Sequence, residues 1–198
     1  MSDIENICIF ASSSNNIDKA FFEDAKILGE LLAKNNYNIV YGGSELGLMG
    51  EVTTSAKNNG SHIIGVMPER IKNFGISQGP CTEFILTKGM RERKAKMDEL
   101  SQAVIALAGG FGTLEELSEM IVQKQLGYND KPIVLLNTNS YYTPLTNFFD
   151  EIIAKHFAHI DSKKIYYVAN KPEDAVEYIK NYRPKKINYL KDKIKINL

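Results

Sequence analysis

Apolar residues recur along the chain in short β-branched runs separated by stretches of helical period. The runs predict strands at Ile7–Phe10, Asn38–Tyr41, Ile63–Val66, Phe84–Leu86, Ala103–Leu107, Ile133–Leu136 and Ile165–Val168. Helical spacing predicts helices near residues 17 to 34, 48 to 59, 90 to 101, 113 to 126, 144 to 156 and 172 to 181. Most of the strand runs are continuous rather than alternating, as in strands covered on both faces. Strict alternation of strand and helix predicts an α/β doubly wound fold, a mostly parallel sheet with helices on both faces. We expect one domain over residues 1–182 and a basic C-terminal tail over residues 183–198, where five lysines follow Pro184 without turn chemistry.

Composition narrows the functional classes. Twenty-four Lys and Arg balance twenty-four Asp and Glu in 198 residues, which removes the electrostatic case for nonspecific nucleic-acid binding. Cys8 and Cys81 lie in apolar surroundings and are expected to be reduced and buried. The segment Met1–Phe10 lacks a basic start and a long apolar run, so no secretory signal is expected. No uninterrupted apolar stretch reaches the ~18 residues of a membrane span, and a cytoplasmic protein without a membrane anchor is expected. His156-x-x-His159 has no companion ligands at metal spacing, so no metal is expected.

Ligands of doubly wound folds bind outside the carboxyl ends of the strands, which directs attention to three loops. The first, Ala11-Ser12-Ser13-Ser14-Asn15-Asn16, carries small polar residues into a helix; it suits an anion or a simple N-cap. The second, Gly42-Gly43-Ser44-Glu45-Leu46-Gly47-Leu48-Met49-Gly50, permits close backbone approach, to a ligand or to another part of the chain. The third, Leu107-Ala108-Gly109-Gly110-Phe111-Gly112-Thr113-Leu114-Glu115-Glu116, resembles a phosphate cradle. It lacks both the third glycine of a dinucleotide fingerprint and the Lys of a P-loop. Thr113-x-x-Glu116 reads as a capping box, in which Glu116 returns to the Thr113 backbone; the same placement would hold a carboxylate at the loop mouth. Upstream, Met90, Met97 and Ser101 share a helix face flanked by Arg93 and Lys94, which suits either an anion or snorkelling over the sheet.

The third loop, the second loop and Met90-Arg91-Glu92-Arg93-Lys94-Ala95-Lys96-Met97 together resemble the LOG family, whose members are cytokinin riboside 5'-monophosphate phosphoribohydrolases long mislabelled lysine decarboxylases. The resemblance runs from about Ile7 to Ile179. It implies a Rossmann-like fold and hydrolysis of the N-glycosidic bond of purine nucleoside 5'-monophosphates to free base and ribose 5-phosphate. It implies catalytic roles for Glu116 and Arg93. Substrate binding would fall to Glu83, Lys94, Gly109, Gly110, Phe111, Gly112, Thr113, Glu115, Gly42, Gly43 and Ser13. A homodimer is implied, its apolar surface drawn from the helices near residues 90 to 126, and no cofactor, since Lys94 is better explained by an anion than by pyridoxal phosphate. Ala108, Arg91, Ser44 and Ala11-Ser12 depart from the usual Pro, His, Gly and Cys-Gly of the family. Two other readings stand beside this one. One is a noncatalytic nucleotide or molybdenum-cofactor carrier, against which Arg93 with Glu116 argues. The other is a DNA-processing module, against which the neutral charge argues.

Overall fold

The computed structural model describes residues 4–75 and 78–184. Seven strands, β1 (Asn6–Phe10), β2 (Asn38–Tyr41), β3 (Ile63–Pro68), β4 (Glu83–Thr87), β5 (Ala103–Ala106), β6 (Ile133–Leu136) and β7 (Tyr167–Ala169), form one sheet in the order β4-β3-β2-β1-β5-β6-β7. Every pairing is parallel. The chain builds outward from β1 to β4 and then crosses back to lay β5 on the other side of β1, with Ile7 opposite both Ile39 and Ala103. That reversal opens a crevice at the carboxyl ends of β1 and β5.

Alternating side chains of each strand feed two cores. Ile7, Ile9, Ile39, Tyr41, Ile105 and Val134 face α1 (Lys19–Lys34), α2 (Gly47–Asn58) and α7 (Pro172–Lys180). Cys8, Phe10, Val40, Val104, Ala106 and Leu135 face Met97 of α4 (Met90–Leu100) and Leu117 and Met120 of α5 (Phe111–Gln125). Because both faces are covered, the strands carry the unbroken apolar runs seen in the sequence. Helices α1 and α2 meet at Gly29, where a Cβ would lie 2.4 Å from the Val52 carbonyl oxygen; only glycine allows that approach. Two further helices are α3 (Glu69–Asn73), which buries no side chain, and α6 (Thr143–Ala154).

The predicted elements are present, with local shifts. Helix α1 starts at Lys19 because Asp18 accepts the Ala20 N–H at 2.8 Å. The last strand begins at Tyr167, two residues beyond the predicted Ile165, which instead closes a 3-10 turn over Ile160–Lys164 and is itself buried. The short α3 was not predicted, since five residues with no buried face leave no periodic signal. Of the predicted tail, residues 185–198 lie outside the described residues. The described chain is fastened just before it by Lys124 of α5, which donates to the Lys131 carbonyl at 2.7 Å and the Tyr182 hydroxyl at 2.9 Å. Burial draws the Lys124 ammonium down to about 8.

Candidate active site

At the β1/β5 crevice lies a cavity of about 450 Å³, lined among others by Ser12, Ser13 and Ser14, Met49, Met90, Arg93, Gly110, Gly112, Thr113, Glu115 and Glu116. Five elements contribute: the loop after β1, the start of α2, the start of α4, the loop after β5 and the first two turns of α5. The serine loop is tied to both neighbours. Ser12 donates its N–H to the Ala108 carbonyl at 3.0 Å, and its own carbonyl accepts from Met49 N–H at 3.3 Å. Asn15 Oδ1 accepts from Gly47 N–H at 2.8 Å. The loop is therefore no cap for α1, which Asp18 supplies.

Helix α5 begins at Phe111, with Gly110 as an N-cap that offers no side-chain hydrogen bond. Thr113 thus lies inside the first turn and is not the cap, which corrects the capping-box reading. The Ser/Thr-x-x-Glu spacing is equally met when the motif slides one turn into a helix whose open glycine end needs no side-chain cap. Glu116 turns instead toward α4, its Oε1 3.1 Å from Arg93 Nη2 with side chains 8% and 13% exposed. Burial pushes the Glu116 carboxyl above its ordinary range, and the Arg93 guanidinium opposes that shift. Arg93 Nε is buried without a hydrogen-bond partner among the described residues, while the residue itself lines the cavity.

The remaining predicted residues divide by position. Lys94 does not line the cavity; its ammonium is shared between Glu115 and Glu119 of α5, the latter at 2.6 Å. It works as a strut between α4 and α5, and Glu115 reaches the cavity rim from the same pair. Gly42 and Gly43 are buried behind the cavity. A Cβ on Gly42 would lie 2.5 Å from Arg93 Nη2, and one on Gly43, where φ is +80°, 2.9 Å from Phe84 Cε2. Gly42 makes room for the arginine. Glu83 opens β4 at the amino edge of the sheet, opposite the cavity, half-exposed and 3.8 Å from His62 Nε2; the structure does not bring it to the other site residues. Phe111 projects into solvent, 92% exposed, where α5 begins.

The glycines of the third loop split in the same way. At Gly109 a Cβ would lie 2.1 Å from Thr113 Oγ1, whereas at Gly110 and Gly112 it would meet nothing within 4 Å. Neither packing nor a positive φ demands glycine at those two positions, and both line the cavity. Sequence reading missed Tyr141 and Tyr142, whose hydroxyls donate to the carbonyls of Gly109 and Leu107, each at 2.6 Å; they come from the far side of β6, and only the fold reveals the contact. Among the described residues there is no cluster of three or more His, Cys, Asp or Glu able to hold a metal ion, and no helix long and apolar enough to cross a membrane.

Residues 49–179 match the family described as "Possible lysine decarboxylase". The chain is 38% identical over 185 residues to the cytokinin riboside 5'-monophosphate phosphoribohydrolase LOG1 of Arabidopsis thaliana, covering 93% of this chain and 86% of that protein. The chain belongs to the LOG family. A rice relative (Oryza sativa subsp. japonica), named probable cytokinin riboside 5'-monophosphate phosphoribohydrolase LOGL2, is 39% identical over 92% of this chain and 75% of its own length. Among solved structures, the molybdenum cofactor binding protein of Rippkaea orientalis superposes with a TM-score of 0.70 over 91% of this chain and 98% of that one. At 23% identity, that likeness establishes the shared Rossmann-like fold. LOG family membership supports a nucleotide phosphoribohydrolase, with a small-molecule nucleotide as substrate.

Two glycine substitutions separate packing from open space. Gly109→Ala should cost ~1–3 kcal/mol by overpacking against Thr113. Gly112→Ala, at an unobstructed helix position, should leave stability unchanged or slightly raised while weakening nucleotide binding. Urea unfolding with calorimetric titration of AMP on both variants checks this; equal stabilities would overturn the packing assignment.

Proposed function

We propose that this protein hydrolyses the N-glycosidic bond of purine nucleoside 5'-monophosphates, adenosine or cytokinin type, giving the free base and ribose 5-phosphate. The observation that carries the reading is a buried carboxylate, Glu116, held 3.1 Å from Arg93 in a cavity that the serine loop and an uncapped helix start also line. Cleavage of a ribosyl C–N bond passes through an oxocarbenium-like state, positive at the anomeric carbon, and a fixed carboxylate stabilises that charge or captures the carbon. Glu116 fills this role. Arg93 keeps the carboxylate ionised, and its guanidinium positions the substrate and supports the departing base. The 5'-phosphate sits at the start of α5, where the first-turn amides of Gly110, Phe111 and Gly112 and the positive end of the helix dipole favour an anion. Ser13 and its neighbours close the other side. Lys94 acts indirectly, by fixing α4 to α5.

The protein works as a homodimer. Met90, Phe111, Leu114 and Val122 are exposed apolar side chains of α4 and α5, and a two-fold contact would cover them. A dimer in sedimentation at micromolar concentration is expected; a monomer would contradict this.

Incubation with AMP should release adenine and ribose 5-phosphate, with adenosine cleaved far more slowly, because phosphate binding energy fixes the sugar for reaction. A carrier or a DNA-processing module releases neither product. Glu116→Gln keeps an acceptor for Arg93 but removes the charge, and should lower kcat by about a hundredfold or more while AMP still binds. Near-normal turnover of that variant, or equal rates on AMP and adenosine, would reject the assignment.

A further inference from the structure

Three consecutive peptide groups behind the cavity have their carbonyls held by donors from elsewhere in the fold. The Leu107 oxygen accepts the Tyr142 hydroxyl at 2.6 Å, the Ala108 oxygen accepts Ser12 N–H at 3.0 Å, and the Gly109 oxygen accepts the Tyr141 hydroxyl at 2.6 Å. In a planar trans peptide the carbonyl and the following N–H point in opposite directions. Fixing the Gly109 oxygen therefore fixes the Gly110 N–H in the opposite sense, away from Tyr141, at a residue that lines the cavity.

The tyrosines reach that position through a strained turn. Asn139 and Ser140 are consecutive left-handed residues, φ +50° and +60°, an arrangement that non-glycine residues adopt only when the surroundings impose it. The turn is clamped on all sides. Asn137 donates its N–H to the Ala169 carbonyl at 2.7 Å, its Oδ1 accepts from Tyr142 N–H at 2.7 Å, and Thr138 donates to Asp24 at 2.5 Å. Edge contacts to Phe21 and Tyr142, with centroids 5.8 and 5.2 Å away, hold the Tyr141 ring. Helix α6 needs neither tyrosine as a side-chain cap.

We propose that Tyr141 and Tyr142 are positioning residues for the phosphate-binding loop, setting from behind the direction of the amides that receive the substrate's 5'-phosphate. The proposal rests on the phosphate site assigned under the proposed function. Tyr142 is buried and also serves the core, so Tyr141, 45% exposed, gives the cleaner test. Without its hydroxyl the Gly109–Gly110 peptide loses one of its restraints, and phosphate must be bound at the cost of ordering it.

The experiment uses Tyr141→Phe, which keeps the ring and removes one hydrogen bond. Calorimetric titration of the whole chain with ribose 5-phosphate should show an affinity about fivefold weaker than wild type. The KM for AMP should rise by the same factor with kcat within about twofold, and kcat/KM for adenosine, which has no phosphate, should stay unchanged. Unaltered ribose 5-phosphate affinity, or an equal fall for AMP and adenosine, overturns the positioning role. A wild-type protein that binds ribose 5-phosphate but leaves AMP intact rejects the hydrolase reading alone, and the titration still decides the role of Tyr141. A wild-type protein that binds neither overturns both.

Discussion

The contact between Glu116 and Arg93 is the constraint around which the site is organised. A carboxylate this deeply buried loses much of its hydration, and without a partner it would take up a proton and lose its charge. The guanidinium 3.1 Å away supplies the opposing field, and in doing so is itself mostly removed from water. Such a pair adds little net stability to a fold, whereas removing either partner strands the other. Under the proposed function, its value lies in presenting a charged group shielded from bulk water to a positive charge that develops in the cavity.

Much of the neighbouring architecture follows from keeping that pair in place. Arg93 needs room, which Gly42 at the end of β2 provides, since any Cβ there would collide with its Nη2. The separation of α4 from α5 is set by Lys94 bound to Glu115 and Glu119 one turn away. The crossover that places β5 beside β1 brings the serine loop and the start of α5 to the same crevice. The loop after β5 is held from behind by the Tyr141 and Tyr142 hydroxyls on the Gly109 and Leu107 carbonyls, which under the proposed positioning role set the direction of its amides. Of the two sorts of glycine in this loop, Gly109 serves the protein's own packing, and Gly110 and Gly112 leave space that the chain itself does not use.

The sheet and its crevice were legible in the sequence because unbroken apolar runs such as Val104-Ile105-Ala106 can only be covered on both faces, and because three polar or glycine-rich loops follow strands. The basic residues flanking the Met90-Met97 face read as suiting an anion or snorkelling over the sheet, and Arg93 instead meets a carboxylate of the chain itself, Glu116. Side-chain direction was less accessible. Thr113 and Glu116 have the spacing of a capping box, yet the helix is capped three residues earlier, at Gly110, and local spacing does not reveal such a slide. Lys94 read as an anion ligand because Glu115 and Glu119 lie 21 and 25 positions away and become its partners only after α4 and α5 pack. Glu83 is adjacent to a strand in sequence, but parallel topology sends the start of β4 to the opposite edge from the loops. Tyr141 and Tyr142 gave no signal at all, being two aromatics after a turn-like Asn-Thr-Asn-Ser.

The central claim is that Arg93 holds Glu116 as an ion despite burial, and that the ion is what the reaction uses. The dependence of kcat on pH, with saturating AMP, tests it most directly. Protonation of Glu116 removes the required charge, so the rate should fall toward acid with a midpoint above the ordinary glutamate value of 4.5, since burial raises this group. Arg93 lowers it, so in Arg93→Gln the midpoint should move further up in pH, whatever the residual rate. An acid limb at or below 4.5, or one that Arg93→Gln leaves where it was, would contradict the account.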